Sequence, residues 1–233
     1  IIVQCPIEFE FIQDTIEICI GEPAEVESQS DGDGPFALSI NTPAGSEVLS
    51  GVVNGDQLTF EPTVSGIYQL TYIIEETSDL LCGNAVMDEV HIIVYEPGEV
   101  GSIGSTPQFC EGESGLVTLS EVLIGEDTGG TWTAAGAYFG FNATLGTFNP
   151  EGNPAGEYQF TYTLAGEASC PDTSIIVSVT INPLPTANAG NTGWITCNES
   201  EVLLGGAGSS QGDEYLYTWT LNGNTIAGAE SST

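Results

Sequence analysis

Six cysteines and 33 acidic side chains are the groups in this 233-residue chain with chemistry to offer. Three of the cysteines recur in one setting, ahead of a glutamate: Cys19-Ile20-Gly21-Glu22, Cys110-Glu111-Gly112-Glu113 and Cys197-Asn198-Glu199. Cys82 follows Cys19 by 63 positions and Cys170 follows Cys110 by 60. That spacing predicts disulfides Cys19–Cys82 and Cys110–Cys170, each tying the start of a small unit to the turn before its last strand. Closing a loop of that size contributes roughly 4 kcal/mol through the entropy of the denatured chain. Cys5 and Cys197 are left for neighbouring units, with Cys5–Cys19 an alternative pairing. Reduced cysteines would instead imply a reducing compartment. The sequence has no CxxC and a single histidine, which argues against zinc.

The acids fall in turns at matching places. Asp31 and Asp33, Glu126 and Asp127, and Asp213 and Glu214 occupy the same turn of three successive copies, and Asp79, Glu167 and Asp172 belong to a turn expected at the same pole. Converging carboxylates suit Ca²⁺, which takes six to eight oxygens; solvated turn acids are the plainer alternative, since no EF-hand-like loop is present. Asp127-Thr128-Gly129 matches the aspartic protease triplet, but that chemistry needs two carboxylates sharing a proton, and no second DTG occurs. Asp and Gly are also ordinary turn residues. His91, the one imidazole, alternates within Val90-His91-Ile92-Ile93-Val94 and reads as a strand residue. A carboxylate pair of the glycosidase kind can be drawn from any set of 33 acids, yet a repeated unit with no unique insertion offers no obvious pocket.

Lys and Arg are entirely missing, and the formal charge is −33. Such a chain cannot neutralise phosphates or lie against an anionic bilayer, so nucleic acid and acidic membranes are poor partners. It has no Arg clamp, no Schiff-base lysine and no lysine for an isopeptide staple. Every carboxylate must be satisfied by water, backbone amides or a dissolved cation. A protease that cuts after Lys or Arg finds no site.

The elements that carry these groups repeat with a period of about ninety residues. Twenty-two positions past Cys110 stands Thr131-Trp132-Thr133, and the same offset from Cys197 gives Thr218-Trp219-Thr220. A second block, Phe60-Glu61-Pro62 then Gly66-Ile67-Tyr68-Gln69-Leu70-Thr71-Tyr72, returns as Phe148-Asn149-Pro150 then Gly156-Glu157-Tyr158-Gln159-Phe160-Thr161-Tyr162. Period-two alternation puts Tyr68, Leu70 and Tyr72, and likewise Tyr158, Phe160 and Tyr162, on one face of a strand. Residues 89–95 and 174–181 read as final strands. Short alternating runs between Gly, Pro, Asn and Asp clusters predict an all-β fold of tandem immunoglobulin-like β-sandwich repeats, with an inward Trp on the third strand and Ile40 near that place in the first copy. The expected organisation is a preceding tail over 1–10, repeats over 11–97 and 98–183, and a partial repeat over 184–233. Pro183-Leu184-Pro185 and residues 96–107 are expected to act as stiff linkers. No apolar run is long enough to span a bilayer, and the absence of an initiator Met or leader reads as an internal segment of a longer secreted protein.

The stretch 182–190 (Asn-Pro-Leu-Pro-Thr-Ala-Asn-Ala-Gly), Ile195-Thr196-Cys197 and Tyr217-Thr218-Trp219 resembles the Ig-like and PKD-like repeats of very long Bacteroidota surface adhesins; so does the second copy, through Gly129-Gly130-Thr131-Trp132, Phe148-Asn149-Pro150 and Cys170-Pro171. The resemblance covers most of 98–233 and departs from the stricter PKD pattern at Leu221-Asn222-Gly223, where an acidic Gly-Asp motif is usual. It implies type IX export and an adhesive or structural role in an extracellular surface filament, with no catalysis. The implied partners are neighbouring repeats, other copies of the chain and surface glycans. Asn142-Ala143-Thr144 and Asn198-Glu199-Ser200 fit N-glycosylation, and Asp14-Thr15-Ile16 is similar to the Bacteroidota O-glycosylation site. The competing reading is a carbohydrate-binding or accessory module of a secreted glycoside-active enzyme. That would need an exposed aromatic platform, for which Trp194, Tyr138 and Phe139 are candidates, the last two expected to sit partly in the fold.

Overall fold

A computed structural model describes residues 9–30, 36–52, 58–73, 88–190, 197–198, 205, 208–212 and 215–226. The alternating segments form strands, and no α-helix occurs among the described residues. The first nine strands are β1 (Phe9–Phe11), β2 (Thr15–Cys19), β3 (Ala24–Val26), β4 (Ser28–Ser30), β5 (Phe36–Thr42), β6 (Gly45–Val52), β7 (Leu58–Phe60), β8 (Gly66–Ile73) and β9 (Asp88–Tyr95). One sheet has the order β2-β9-β8-β5-β6. Its β2 runs parallel to β9, with Cys19 opposite Tyr95, and its other pairs are antiparallel. The facing strands are β1 on β4 and β3 on β7. Here β3 and β4 are two halves of one strand broken at Glu27, whose carbonyl accepts the Ile12 N–H at 3.0 Å. Phe11, Ala24 and Val26 from this layer close over Ile18, Ile40, Leu70, Val90 and Ile92 from the other.

The same plan is built again from β10 (Ser102–Ile103), β11 (Gln108–Cys110), β12 (Val117–Thr118), β13 (Leu123–Ile124), β14 (Thr131–Ala134), β15 (Phe141–Asn142), β16 (Thr147–Phe148), β17 (Gly156–Leu164) and β18 (Thr173–Asn182). The order β11-β18-β17-β14 faces β12-β16-β15 and the pair β10-β13. A 3₁₀ turn over Leu119–Val122 separates β12 from β13, as Glu27 separates β3 from β4. Again the first strand of the larger sheet is parallel to the last, with Cys110 opposite Asn182. The core, from Val117 to Ile181, is closed on itself and centred on Phe148 and Phe160. Two sheets packed face to face with this strand order and a parallel first-to-last pair define immunoglobulin-like sandwiches in tandem. Residues 96–107, expected to be a linker, contain β10 and so belong to the second sandwich.

Two side chains per unit explain why the sequence settles on this plan. Tyr68 donates to the Val64 carbonyl at 2.8 Å and Tyr158 to the Pro154 carbonyl at 2.6 Å. These are the tyrosine corners of the fold, a Tyr near the start of the strand after the crossover bonding back to upstream backbone. Trp132 is buried and packs on Tyr162 with ring centroids 4.9 Å apart. Gly146 leaves room for it, since a Cβ there would come within 2.7 Å of the indole. Trp132 lies opposite Tyr162, the register slot held in the first sandwich by Leu38 opposite Tyr72. Ile40, expected near the place of the Trp, stands two residues from it: Ile40 lies opposite Leu70, matching Ala134 opposite Phe160. Farther on, β19 (Thr220–Leu221) and β20 (Asn224–Thr225) form a hairpin. Asn222 at φ 49° and Gly223 at φ 81° turn it as a two-residue Asn-Gly loop does.

Candidate functional site

The arrangement with the most chemistry lies where the first sandwich meets the second. At the end of β2 the chain turns through Gly21, at φ 84°, and Glu22 folds back so that its carboxylate accepts the Cys19 N–H at 3.1 Å. The Glu22 N–H donates to the Cys19 carbonyl at 3.0 Å and the Ile20 N–H to that of Tyr95 at 2.9 Å. The opposing surface is the turn over residues 165–172, between β17 and β18. There the Asp172 carboxylate accepts the Gly166 N–H at 2.9 Å, and the Cys170 N–H donates to the Glu167 carbonyl at 2.9 Å. Gly166 is required by crowding, because a Cβ would fall 1.8 Å from the Cys170 carbonyl oxygen.

Between these two turns runs a disulfide, Cys19–Cys170, with Cα atoms 4.8 Å apart and 151 positions between them in sequence. Both cysteines are buried. The neighbouring Ser169 hydroxyl donates to the Glu22 carboxylate. That bond, with the Cys19 amide, holds the Glu22 carboxyl below its ordinary value of 4.5. Nearby, burial and the charges of Glu17 and Glu167 push the Tyr95 phenol up. The entering chain is tied down as well: Glu99 N–H to the Asp127 carboxylate at 2.9 Å, Asp127 N–H to the Glu99 carbonyl at 2.7 Å, and Thr173 hydroxyl to the Gly98 carbonyl at 2.7 Å.

This bond corrects the disulfides expected from spacing. Cys19 is joined to Cys170, so Cys19–Cys82 and Cys110–Cys170 do not form, and Cys110 and Cys197 are free and exposed. The reason is the parallel register. Cys110 lies opposite Asn182, the last residue of β18, whereas Cys170 precedes Thr173, the first. Ten residues of strand span roughly 30 Å, far beyond the 7 Å reach of a disulfide's Cα atoms. Spacing within a copy suggested a bond along one sandwich; the fold puts the two sulfurs at opposite poles. Cys5 and Cys82 lie outside the described residues.

The other candidates are placed as follows. Asp127, the acid of the Asp-Thr-Gly triplet, holds the Glu99 amide, and its own carbonyl accepts the Tyr162 hydroxyl at 2.7 Å. It is a turn clasp joining the entering strand to the second sandwich. Glu126 is half-buried beside it. Asp31, Asp33, Asp79, Asp213 and Glu214 lie outside the described residues, among which no group of three or more His, Cys, Asp or Glu converges to hold a metal. His91 is half-buried in β9, and its N–H donates to the Asp14 carbonyl at 3.0 Å. Thr15 is exposed at the start of β2, and Asn142 is exposed with its side-chain Oδ1 accepting the backbone amides of Thr144 and Leu145, each at 3.1 Å. Asn198 is exposed. Tyr138 packs in the core against Tyr158, ring to ring at 4.9 Å. Phe139 does not join it: the residue is 71% exposed, though its N–H is held by buried Asn153. Trp194 lies outside the described residues.

No protein-family profile matches the chain, and no curated protein sequence does. Among solved structures it is similar to an I-band fragment, I67–I69, of titin, at 12% identity and a TM-score of 0.48 over 94% of this chain and 86% of that one. It is also similar to the N-terminal four Ig domains of Dscam1, at 14% identity and a TM-score of 0.36 over 73% and 43%. A third is a complex of Dpr11 IG1 with DIP-gamma, at 14% identity and 0.38 over 75% and 99%.

Proposed function

We propose that this chain is a load-bearing spacer of an extracellular surface filament or adhesin, in which immunoglobulin-like units are stacked end to end and stapled to one another. The observation that carries this reading is the Cys19–Cys170 bond across the junction. The composition explains why a covalent bond is used. With 33 acids and no Lys or Arg, neighbouring units repel and have no side-chain ion pair to offer except through one histidine. A junction in such a chain is held by what remains: a disulfide, carboxylates accepting from hydroxyls and amides, and the backbone. A disulfide of this kind belongs to an oxidising compartment, which supports an extracellular place. The resemblance to Bacteroidota adhesin repeats supports the surface-filament assignment and type IX export. The repeats over 11–97, 98–183 and from 184 onward are the units of the stack. The role is mechanical, with no catalysis in this segment.

Small-angle scattering of the chain before and after reduction tests this. The oxidised chain is expected to keep one maximum dimension from 10 to 500 mM salt, and the reduced chain to change with salt as repulsion between units is screened over a Debye length of about 10 Å at 0.1 M. An oxidised chain whose dimension varies with salt as much as the reduced one would contradict the reading.

A further inference from the structure

The far pole of the second sandwich repeats the receiving half of the junction. Cys110 ends β11 opposite Asn182, as Cys19 ends β2 opposite Tyr95. Gly112, at φ 80°, turns the chain as Gly21 does at 84°. The Glu113 carboxylate accepts the Cys110 N–H at 2.8 Å, and the Glu113 N–H donates to the Cys110 carbonyl at 3.0 Å. The Glu111 N–H donates to the Asn182 carbonyl at 2.8 Å, in the place of Ile20 on Tyr95. In the first sandwich these residues hold Ser169 and Cys170 of the next unit; in the second the thiol is free and exposed.

What leaves this pole also repeats. Fifteen positions separate Tyr95 from Cys110, and fifteen separate Asn182 from Cys197. Beyond Asn182 the chain starts another paired layer at once, with the Ser210 N–H on the Thr186 carbonyl at 2.9 Å and the Gly205 N–H on the Ala189 carbonyl at 2.8 Å. A third unit therefore begins at the same chain distance from the last strand of the second as the second does from that of the first. Cys197 is not the matching half, because in sequence it stands to that unit as Cys110 stands to the second.

We propose that Cys110, Gly112 and Glu113 are the acceptor half of a second staple, and that its occupant is the turn before the last strand of the next immunoglobulin-like unit in the stack, bearing a hydroxyl-cysteine pair like Ser169-Cys170. This rests on the stacked-unit reading above. In forming the bond, the Cys110 thiolate attacks a sulfur of an oxidised disulfide donor of the thiol oxidoreductase class, releasing one donor thiol. The incoming cysteine's thiolate then displaces the other. Two protein thiols lose two protons and two electrons, and the donor leaves as a dithiol.

The test uses a chain in which residues 110–183 are written a second time in place of 197–233, completing a third unit with a sequence whose core closes on itself. Peptide mapping without reduction is expected to find Cys110 joined to the repeated Cys170, beside Cys19–Cys170 in the same molecule. Cys110→Ser should leave the repeated Cys170 fully alkylatable. If Cys19–Cys170 forms while Cys110 and the repeated Cys170 both alkylate, the second staple is refuted and the stacked reading stands; if neither bond forms, both fall. The unaltered chain gives a second readout. The peptide Glu-Ala-Ser-Cys-Pro-Asp, supplied as its thiopyridyl disulfide, should transfer to Cys110 several-fold faster than to Cys197, relative to thiopyridyl glutathione. Glu113→Ala should abolish that preference, and equal transfer to the two cysteines in the unaltered chain would count against the proposal.

Discussion

The ends of β2 and β11 are the same structure in two states. Each has a cysteine beside the last residue of the final strand, a left-handed glycine two positions on, and a glutamate folded back onto the cysteine amide. One is buried under the next unit and bonded to it; the other is open. The difference teaches that the second sandwich does not need the motif's disulfide for its own core, which closes with Cys110 unpaired. Its purpose lies outward, in the neighbour. In a chain with no Lys or Arg, that is where a junction has to be made.

Cutting the occupied pole gives the largest effect. Cys170→Ser opens a loop spanning 151 positions, for which chain entropy alone sets a scale of about 5 kcal/mol. The cost should appear in calorimetry as two sandwiches melting separately instead of as one body, while Cys110→Ser should leave the thermogram unchanged. Next comes Trp132→Ala, which empties the space beside Tyr162 and should destabilise by about 3–5 kcal/mol; in the Cys170→Ser background, where the sandwiches melt separately, it should lower the second sandwich's transition while the first keeps its own. Tyr158→Phe leaves the Pro154 carbonyl without its donor and should cost about 1 kcal/mol; Tyr68→Phe should cost the same in the first sandwich, and urea melts of the pair measure how alike the corners are.

Two pH effects are smaller. Burial pushes the Tyr72 phenol up to about 12. Its contribution to the first sandwich is complete below the unfolded value of about 10 and declines as pH rises toward 12, because the unfolded phenol ionises first. Absorbance titration should show one phenol ionising last, and Tyr72→Phe should remove that step. Glu22 runs the other way. Its lowered carboxyl contributes fully above 4.5 and loses that contribution as pH falls through the folded value. In a Cys170→Ser background, acid should therefore loosen the junction more in the parent than in Glu22→Gln, read as the change in maximum dimension by scattering.

Much of the fold was legible because a sandwich writes itself in alternation. Tyr68-Gln69-Leu70-Thr71-Tyr72 and its counterpart at 158–162 mark a strand and its inward face, whereas the tyrosine corner, in which each first Tyr hydroxyl reaches the carbonyl at i−4, emerged only with the backbone. The junction was hidden for a definite reason. Local spacing says nothing about whether the first and last strands run parallel, and that one choice moves Cys110 from beside Cys170 to the opposite pole. Likewise the first sandwich's counterpart of Trp132 depended on register between strands distant in sequence, which placed Leu38 there and not Ile40. Asp127 sat in a string that resembles a protease triplet; only the path of residues 98–101 revealed which amide its carboxylate holds.

The most direct test of the account is the disulfide map of the intact chain, digested after thiol blocking and without reduction. The account predicts a peptide pair joining Cys19 to Cys170, with Cys110 recovered alkylated. A pair joining Cys110 to Cys170 would place the staple inside one sandwich and contradict it.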